Sequence, residues 1–439
     1  MKNPIREIVC RRKQGIHCAI PSFCTANGIV IEAIMEQAKR FDDYVLIEAT
    51  ANQVNQYGGY TNRKPADFKD EVLQIAERVG FPKEKVIFGG DHLGPLIWAD
   101  EPEKEAMEKA EELVRLFVAA GYKKIHLDTS MKLGSDAKGE PLADDIIARR
   151  GARLYRACEE EYKKLSEGDP NEMRPVYIIG SEVPIPGGAQ EEEIVQVTSP
   201  NAVEATVEAY RKEFAAAGCE DAFENIVALV VQPGVEFGDD SICHYDRDKA
   251  AELCRKLKEY DGLIYEGHST DYQSPKSLKQ MAEDGIAILK VGPALTFALR
   301  EALFALSMME KELIEEGRSD FMEVLEDCMK EEPKYWQKHY HGSAGEQAVK
   351  RRYSFSDRCR YYLTRPEVEE AIERLMENLS QQDIPLNMIS QYMPAQYARI
   401  RDGELECSPR EMVRDHIVRL VDHYNYAAKD GYIISEALS

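Results

Sequence analysis

Lys85-Val86-Ile87-Phe88-Gly89-Gly90-Asp91-His92-Leu93-Gly94-Pro95 sets the pattern of this chain: an apolar run, then glycine, then histidine beside carboxylate. Two later segments also place histidine near carboxylate at the end of an apolar run, His126-Leu127-Asp128-Thr129-Ser130 and Tyr265-Glu266-Gly267-His268-Ser269-Thr270-Asp271. Runs of four to seven residues occur at 15–20, 44–48, 85–90, 123–127, 176–180, 225–231, 263–266 and 286–291. They are rich in Val and Ile and read as strands buried on both faces. Amphipathic stretches lie between them, such as 200–217, opened by Ser199-Pro200 and closed by Gly218, and another opened by Asp100 and Pro102 and closed by Gly121. The strand ends fall about 40 residues apart, the rhythm of repeated βα units.

Eight such units predict an α/β fold, a (β/α)8 TIM barrel, over residues 1–310. An open doubly wound sheet is the runner-up, but the GxGxxG turn after its first strand is missing. Residues 132–175 interrupt the rhythm with an insertion whose helical core is 144–165. After the eighth strand the pattern turns helical, with a long helix over 294–316, so residues 311–439 are expected to form an α-helical C-terminal extension packed on the barrel.

Composition bounds the function. The 439 residues are 44% hydrophobic and 31% charged, and 56 basic against 79 acidic residues leave a net charge of −23. That field disfavours nucleic acid and anionic membrane as partners. A phosphorylated substrate would need a local pocket of amides, metal and a few cations. Neither a signal peptide nor an apolar span of 18 residues is evident, so a cytoplasmic protein is expected. The ten cysteines include no CxxC pair and read as buried hydrophobes or free thiols.

In a barrel the C-terminal strand ends share one mouth, so distant residues can build one site. Asp91 is the candidate general base and His92 and His268 the candidate metal ligands. Glu182, after the fifth strand, is a third ligand or catalytic carboxylate; Gln232, after the sixth, is a weaker ligand that can instead orient substrate. Asp128 can polarise a histidine or hold a sugar hydroxyl. Either Glu182 or Asp128 can instead cap the next helix. The donors suit a divalent metal, zinc first, with manganese, cobalt or nickel as alternatives. The amide- and glycine-rich loop with Asn55, Gln56 and Tyr60 suits a polyol, or is a plain loop. Asp271, Lys290 and Gly292 lie at the rim where barrels often hold a phosphate. Lys290 is alternatively a Schiff-base lysine. Arg358, in the arginine- and aromatic-rich run 351–362, is a phosphate grip, unless the run is a solvated or subunit-interface helix.

These motifs, with Val45-Leu46-Ile47-Glu48-Ala49-Thr50, Glu182-Val183-Pro184-Ile185-Pro186-Gly187-Gly188, Val231-Gln232-Pro233-Gly234-Val235-Glu236-Phe237 and Ile384-Pro385-Leu386-Asn387-Met388-Ile389-Ser390-Gln391-Tyr392, resemble the Z-type subunit of class II tagatose-bisphosphate aldolase. The resemblance covers nearly the whole chain. It implies either a non-catalytic subunit that stabilises a Y-type catalytic partner, or a ketose 4-epimerase like some relatives. Asp91-His92 looks like the catalytic Asp and metal His of class II aldolases, His268 is placed like a later metal histidine, and Glu182 resembles their strand-five glutamate. Gln232 departs from the pattern, standing where those aldolases have a further histidine. The expectation is a metal-dependent epimerase of a ketohexose or its phosphate, in a homo-oligomer, with the stabilising subunit as the alternative.

Overall fold

The computed structural model describes residues 3–137, 139, 141–183 and 195–429. Its strands are β1 (Ile20–Cys24), β2 (Val45–Thr50), β3 (Val86–Leu93), β4 (Lys124–Leu127), β5 (Val176–Ile179), β6 (Ile226–Val231), β7 (Glu236–Phe237), β8 (Ile242–Cys243), β9 (Ile264–Gly267) and β10 (Ile286–Val291). Eight of them close a barrel in the order β1-β10-β9-β6-β5-β4-β3-β2, all neighbours parallel. The remaining pair, β7 and β8, form a small antiparallel hairpin at the exit of β6. The expected (β/α)8 barrel is therefore the observed fold.

The first strand corrects the sequence reading. Residues 15–19 lie outside it, and β1 begins at Ile20. A helix precedes it, Pro4–Lys13, capped by the Asn3 side chain, which accepts the Ile5 N–H at 3.0 Å. The true strand contains Pro21 and Ser22, which weaken any β signal, yet all five of its residues are buried. Apolar residues just upstream drew the reading to the wrong place.

Inside the barrel, Ile20, Leu46, Ile87, Ile178, Val230, Ile264 and Ile288 form an apolar layer against which Ile5 and Val9 of the N-terminal helix pack. One pleat step further along the strands the interior becomes ionic. Lys124 Nζ lies 2.7 Å from Glu48 and 2.7 Å from Glu266, with all three side chains fully buried. Lys290 pairs with Glu48, with Asp91 at 2.8 Å and with Glu266 at 3.5 Å. Gly89 makes room for this layer, since a Cβ there would sit 2.7 Å from the Glu48 side chain.

The insertion is one helix, Asp144–Gly168, and the long helix after β10 runs Pro293–Leu313. Further helices follow, the last among the described residues being Pro409–Ala428, which packs on Gly28–Lys39, Pro275–Asp284 and Pro293–Leu313. The extension and the barrel's outer helices share one continuous apolar core. Tyr424, from the last helix, donates its hydroxyl to the Thr270 carbonyl at 2.9 Å and so ties the extension to a rim loop. Among the described residues no helix is long and apolar enough to cross a membrane.

Removing one partner from a buried charge network leaves the others uncompensated, at about 3–5 kcal/mol. Lys124→Met is expected to lower the unfolding free energy by that order, and pairing it with Glu266→Gln to recover part of the loss. Urea unfolding of the two variants beside the parent checks this.

Candidate metal centre and substrate cavity

A defect in β3 builds the site. Its register against β4 runs Gly89↔Lys124 and Gly90↔Ile125, then jumps to Leu93↔Leu127. Asp91 and His92 therefore stand opposite the single residue His126. In a regular strand they would face opposite sides. The bulge, with His92 in the left-handed region at φ 46°, brings both to the same cavity. Gly94 completes the turn, because a Cβ there would overlap the Asp128 carbonyl oxygen.

Asp91, His92, His126 and His268 then converge, with one donor atom from each lying within 4.8 Å of the others, all buried. The imidazole centroids form a near-equilateral triangle: His92 to His126 5.0 Å, His92 to His268 4.8 Å, and His126 to His268 5.1 Å. Neighbouring carboxylates orient the rings. His92 Nδ1 lies 2.7 Å from Asp128, whose other oxygen accepts the Ser130 hydroxyl and N–H. His268 Nε2 lies 2.8 Å from Glu266. Each bond spends one ring nitrogen and leaves the other for a ligand. His126 Nδ1 lies 3.0 Å from Asp91 Oδ1, to which it donates, and 3.2 Å from the His92 backbone nitrogen, while its buried Nε2 has no partner among the described residues. An orphaned buried nitrogen beside two other imidazoles and a carboxylate fits a divalent metal, with an N/O donor set that zinc, manganese or cobalt accepts.

Charges follow from this packing. Burial alone would raise the Asp91 carboxyl, but His92, Lys290 and the bond from His126 outweigh it and hold it well below the usual range. Burial lowers His268 to about 3 despite Glu266, so its ring is neutral, as a ligand must be. Burial also opposes charge on Lys290, yet Asp91, Glu266 and Glu48 raise it well above its ordinary value. Three carboxylates around the Lys290 ammonium thus work against a Schiff-base role for it.

The cluster floors a cavity with an empty volume of about 890 Å³, mouth included. Its wall includes Asn52, Gln53, Tyr60, Thr61, Ser269, Asp271, Lys290, Gly292 and, from the extension, Arg360 and Tyr361. Among the residues expected at the site, the structure brings together Asp91, His92 and His268 in the cluster, Asp128 against His92, and Tyr60, Asp271, Lys290 and Gly292 in the wall. Others stand apart. Glu182 is exposed, and residues 184–194, which hold the rest of its motif, lie outside the described residues. Gln232 Oε1 accepts the N–H groups of Gly234 and Val235 at 2.8 and 3.0 Å and serves its own loop. Asn55 likewise holds its loop through Ala51, Tyr57 and Gly59, and Gln56 reaches the Lys109 carbonyl. Arg358 donates to the Tyr335 carbonyl; the arginine that lines the cavity is Arg360, two residues on.

Besides Arg360 and Glu266, two further residues escaped the sequence reading. His126 was visible in its motif, but attention went to Asp128 beside it; the alternation of Lys124 and His126 along β4 was the signal that both face inward. Glu236, in the hairpin after β6, is buried, and that burial pushes its carboxyl up to about 7 despite hydrogen bonds from the Phe237 N–H and Ser269. Nothing in its local sequence marked it.

A family model described as "D-tagatose-1,6-bisphosphate aldolase subunit GatZ/KbaZ-like" matches residues 5–429. The chain is 43% identical to a probable tagatose 6 phosphate kinase from Sinorhizobium meliloti 1021, with a TM-score of 0.85 over 94% of this chain and 100% of that one. More distant similarities include fructuronate-tagaturonate epimerase UxaE from Cohnella laeviribosi, at 12% identity and TM-score 0.47 over 93% and 81% of the two chains. The YdjI aldolase from Escherichia coli K12 matches at 14% and 0.41, over 88% and 100%. At those identities and scores neither bears on activity.

Two outcomes are expected. His92→Ala, His126→Ala and His268→Ala each abolish tight binding of zinc or manganese, Asp128→Ala weakens it about 10–100-fold, and Glu182→Ala and Gln232→Ala leave it unchanged, as read by calorimetric titration of the metal-free protein. Separately, Glu236 is held up at about 7 against an ordinary 4.5. The folded chain thus binds more protons than the unfolded one between those values, and this group's contribution falls as pH rises through that window. Glu236→Gln should therefore stabilise the protein at pH 8, by on the order of 1–3 kcal/mol, and not at pH 4.5; melting temperatures across that range decide.

Proposed function

We propose that this chain, which belongs to the GatZ/KbaZ-like family of D-tagatose-1,6-bisphosphate aldolase subunits, is itself an enzyme: a metal-dependent 4-epimerase of ketohexoses or their phosphates. It would interconvert fructose and tagatose configurations by opening and reclosing the bond between C3 and C4. The observation that carries the reading is the convergence of Asp91, the three histidines and Lys290 at the floor of one cavity. So many buried polar groups are costly without a ligand to pair them.

A divalent metal, zinc first, bound by His92, His126 and His268 beside Asp91 would supply Lewis acidity to the C2 carbonyl and C3 hydroxyl of a ketose. The protein's own part follows from the distances. Asp91 Oδ1 is engaged by Lys290 and His126, whereas Oδ2 has only the Cys24 thiol at 3.5 Å and His92 Nε2 at 3.8 Å. Oδ2 is thus the oxygen that accepts the C4 hydroxyl proton as the C3–C4 bond opens. The Lys290 ammonium keeps that carboxylate ionised before the step and favours return of the proton afterwards. Asn52, Gln53, Thr61 and Ser269 offer amide and hydroxyl partners to the sugar. If the released aldehyde turns within the closed cavity and is re-attacked on its other face, C4 is inverted; if it escapes, the same chemistry reads as aldol cleavage.

The family description favours a second reading, a stabilising subunit for a separate catalytic Y-type chain. The two separate on one experiment. The purified chain, loaded with zinc or in parallel with manganese, cobalt or nickel, is expected to convert fructose 6-phosphate or fructose to its tagatose counterpart by carbon-13 NMR. Asp91→Asn should lower turnover by about 10²–10⁴-fold. A metal-loaded chain inert on both sugars would sink the epimerase and leave the subunit reading.

A further inference from the structure

Barrels often hold a phosphate on main-chain amides where the eighth strand hands over to the next helix. Here that place is the turn from β10 into the helix Pro293–Leu313, and it is already taken. Asp271 Oδ1 accepts the Gly292 N–H at 3.0 Å and the Ala294 N–H at 2.9 Å. Pro293, between them, has no N–H, and the Leu295 N–H is bonded to the Gly292 carbonyl at 3.0 Å. The chain has built an anion of its own into the position a phosphate would use. Asp271 is buried, lines the cavity, and presents its charge to anything that approaches this end.

The cavity's cations are as unevenly disposed. Lys290 is spent on Glu48, Asp91 and Glu266. Arg360 lines the wall and makes no direct ion pair among the described residues, the Asp357 and Asp271 carboxylates acting on it only from further off. Its guanidinium is fixed by the Ser356 carbonyl, the Asp357 carbonyl at 3.1 Å and the Tyr361 hydroxyl at 3.1 Å, and it lies 4.5 Å from the centre of the Tyr361 ring. A guanidinium held this way, with no direct ion pair of its own among the described residues, is a ready partner for one phosphate.

We propose that Asp271 is a specificity-determining residue: by occupying the amides at the start of the helix after β10, it restricts the cavity to ketoses bearing at most one phosphate, held by Arg360, and excludes the 1,6-bisphosphate. The inference rests on the reading of the cavity as a ketose site and names which member of that substrate class it takes.

The test is calorimetric titration of the metal-loaded full chain with fructose 6-phosphate, fructose 1,6-bisphosphate and fructose. The monophosphate should bind at least about tenfold more tightly than the bisphosphate, the size of one charge-assisted contact. Asp271→Ala, which frees the amides, should narrow or reverse that ratio. Asp271→Asn keeps an acceptor for the helix without the charge, so a narrower ratio in this variant tests the charge even if the alanine variant folds poorly. Arg360→Met should bring fructose 6-phosphate down to the affinity of free fructose. Equal binding of monophosphate and bisphosphate by the parent, or an unchanged ratio in both Asp271 variants, overturns the proposal. Neither outcome touches the epimerase reading, which stands or falls on turnover; the expected ranking without turnover would keep Asp271's role and discard the epimerase.

Discussion

Everything at the mouth of this barrel depends on the ionic layer beneath it. Glu48, Glu266 and Asp91 face Lys124 and Lys290 inside the closed sheet, three carboxylates against two ammonium groups. Charges this deep persist only when each is paired. The layer is paired within itself except for a residual negative charge, and that excess lies where the three imidazoles meet. A cation at the cluster would complete the balance. The same carboxylates that neutralise the lysines also orient the site: Glu266 holds His268, and Asp91 faces His126. Folding the barrel and preparing the cluster are thus one electrostatic problem.

The extension belongs to the same problem. A bare barrel would leave the cavity wall beyond β2 and β10 open. Instead the run that contains Arg360 and Tyr361 closes it, with Tyr361 packed against Tyr60 from the loop after β2 at 4.6 Å between ring centroids. The run is anchored from behind, where Asp357 takes the Thr296 hydroxyl at 2.7 Å and Arg300 at 3.0 Å, both on the helix that follows β10. The wall of the cavity that faces the extension is therefore set by one helix and one rim.

Most of the architecture was legible because buried parallel strands announce themselves as β-branched runs. The strand expected at 286–291 is β10 residue for residue, and the helix opened by Ser199-Pro200 begins at Pro200. β1 was misplaced because Pro21 and Ser22 hide a strand whose burial comes from its neighbours on either side. The site was legible where chemistry is local, as in Asp91-His92 and His268. It was not where orientation decides. No spacing rule distinguishes Arg358, turned to a carbonyl, from Arg360, turned to the cavity. Nor could the sequence show that Asp271 bonds the amides of a turn about twenty residues on.

The sixth strand shows how a local reading can mislead about a whole site. Gln232, the weaker of the ligands expected from the sequence, is not part of the cluster, whose donors are Asp91, His92, His126 and His268. The structure supplies a third imidazole from β4 instead, where His126 follows Lys124 on the inward face. The bulge in β3 makes that substitution effective, because it sets Asp91 and His92 together opposite His126 alone. Gln232 is then free to hold the turn of Gly234 and Val235 that leads into the β7–β8 hairpin. That hairpin places Phe237 in the cavity wall and Glu236 just behind it. The third imidazole of the cluster thus comes from β4 rather than β6, while Gln232 shapes the loop that leads to the cavity wall.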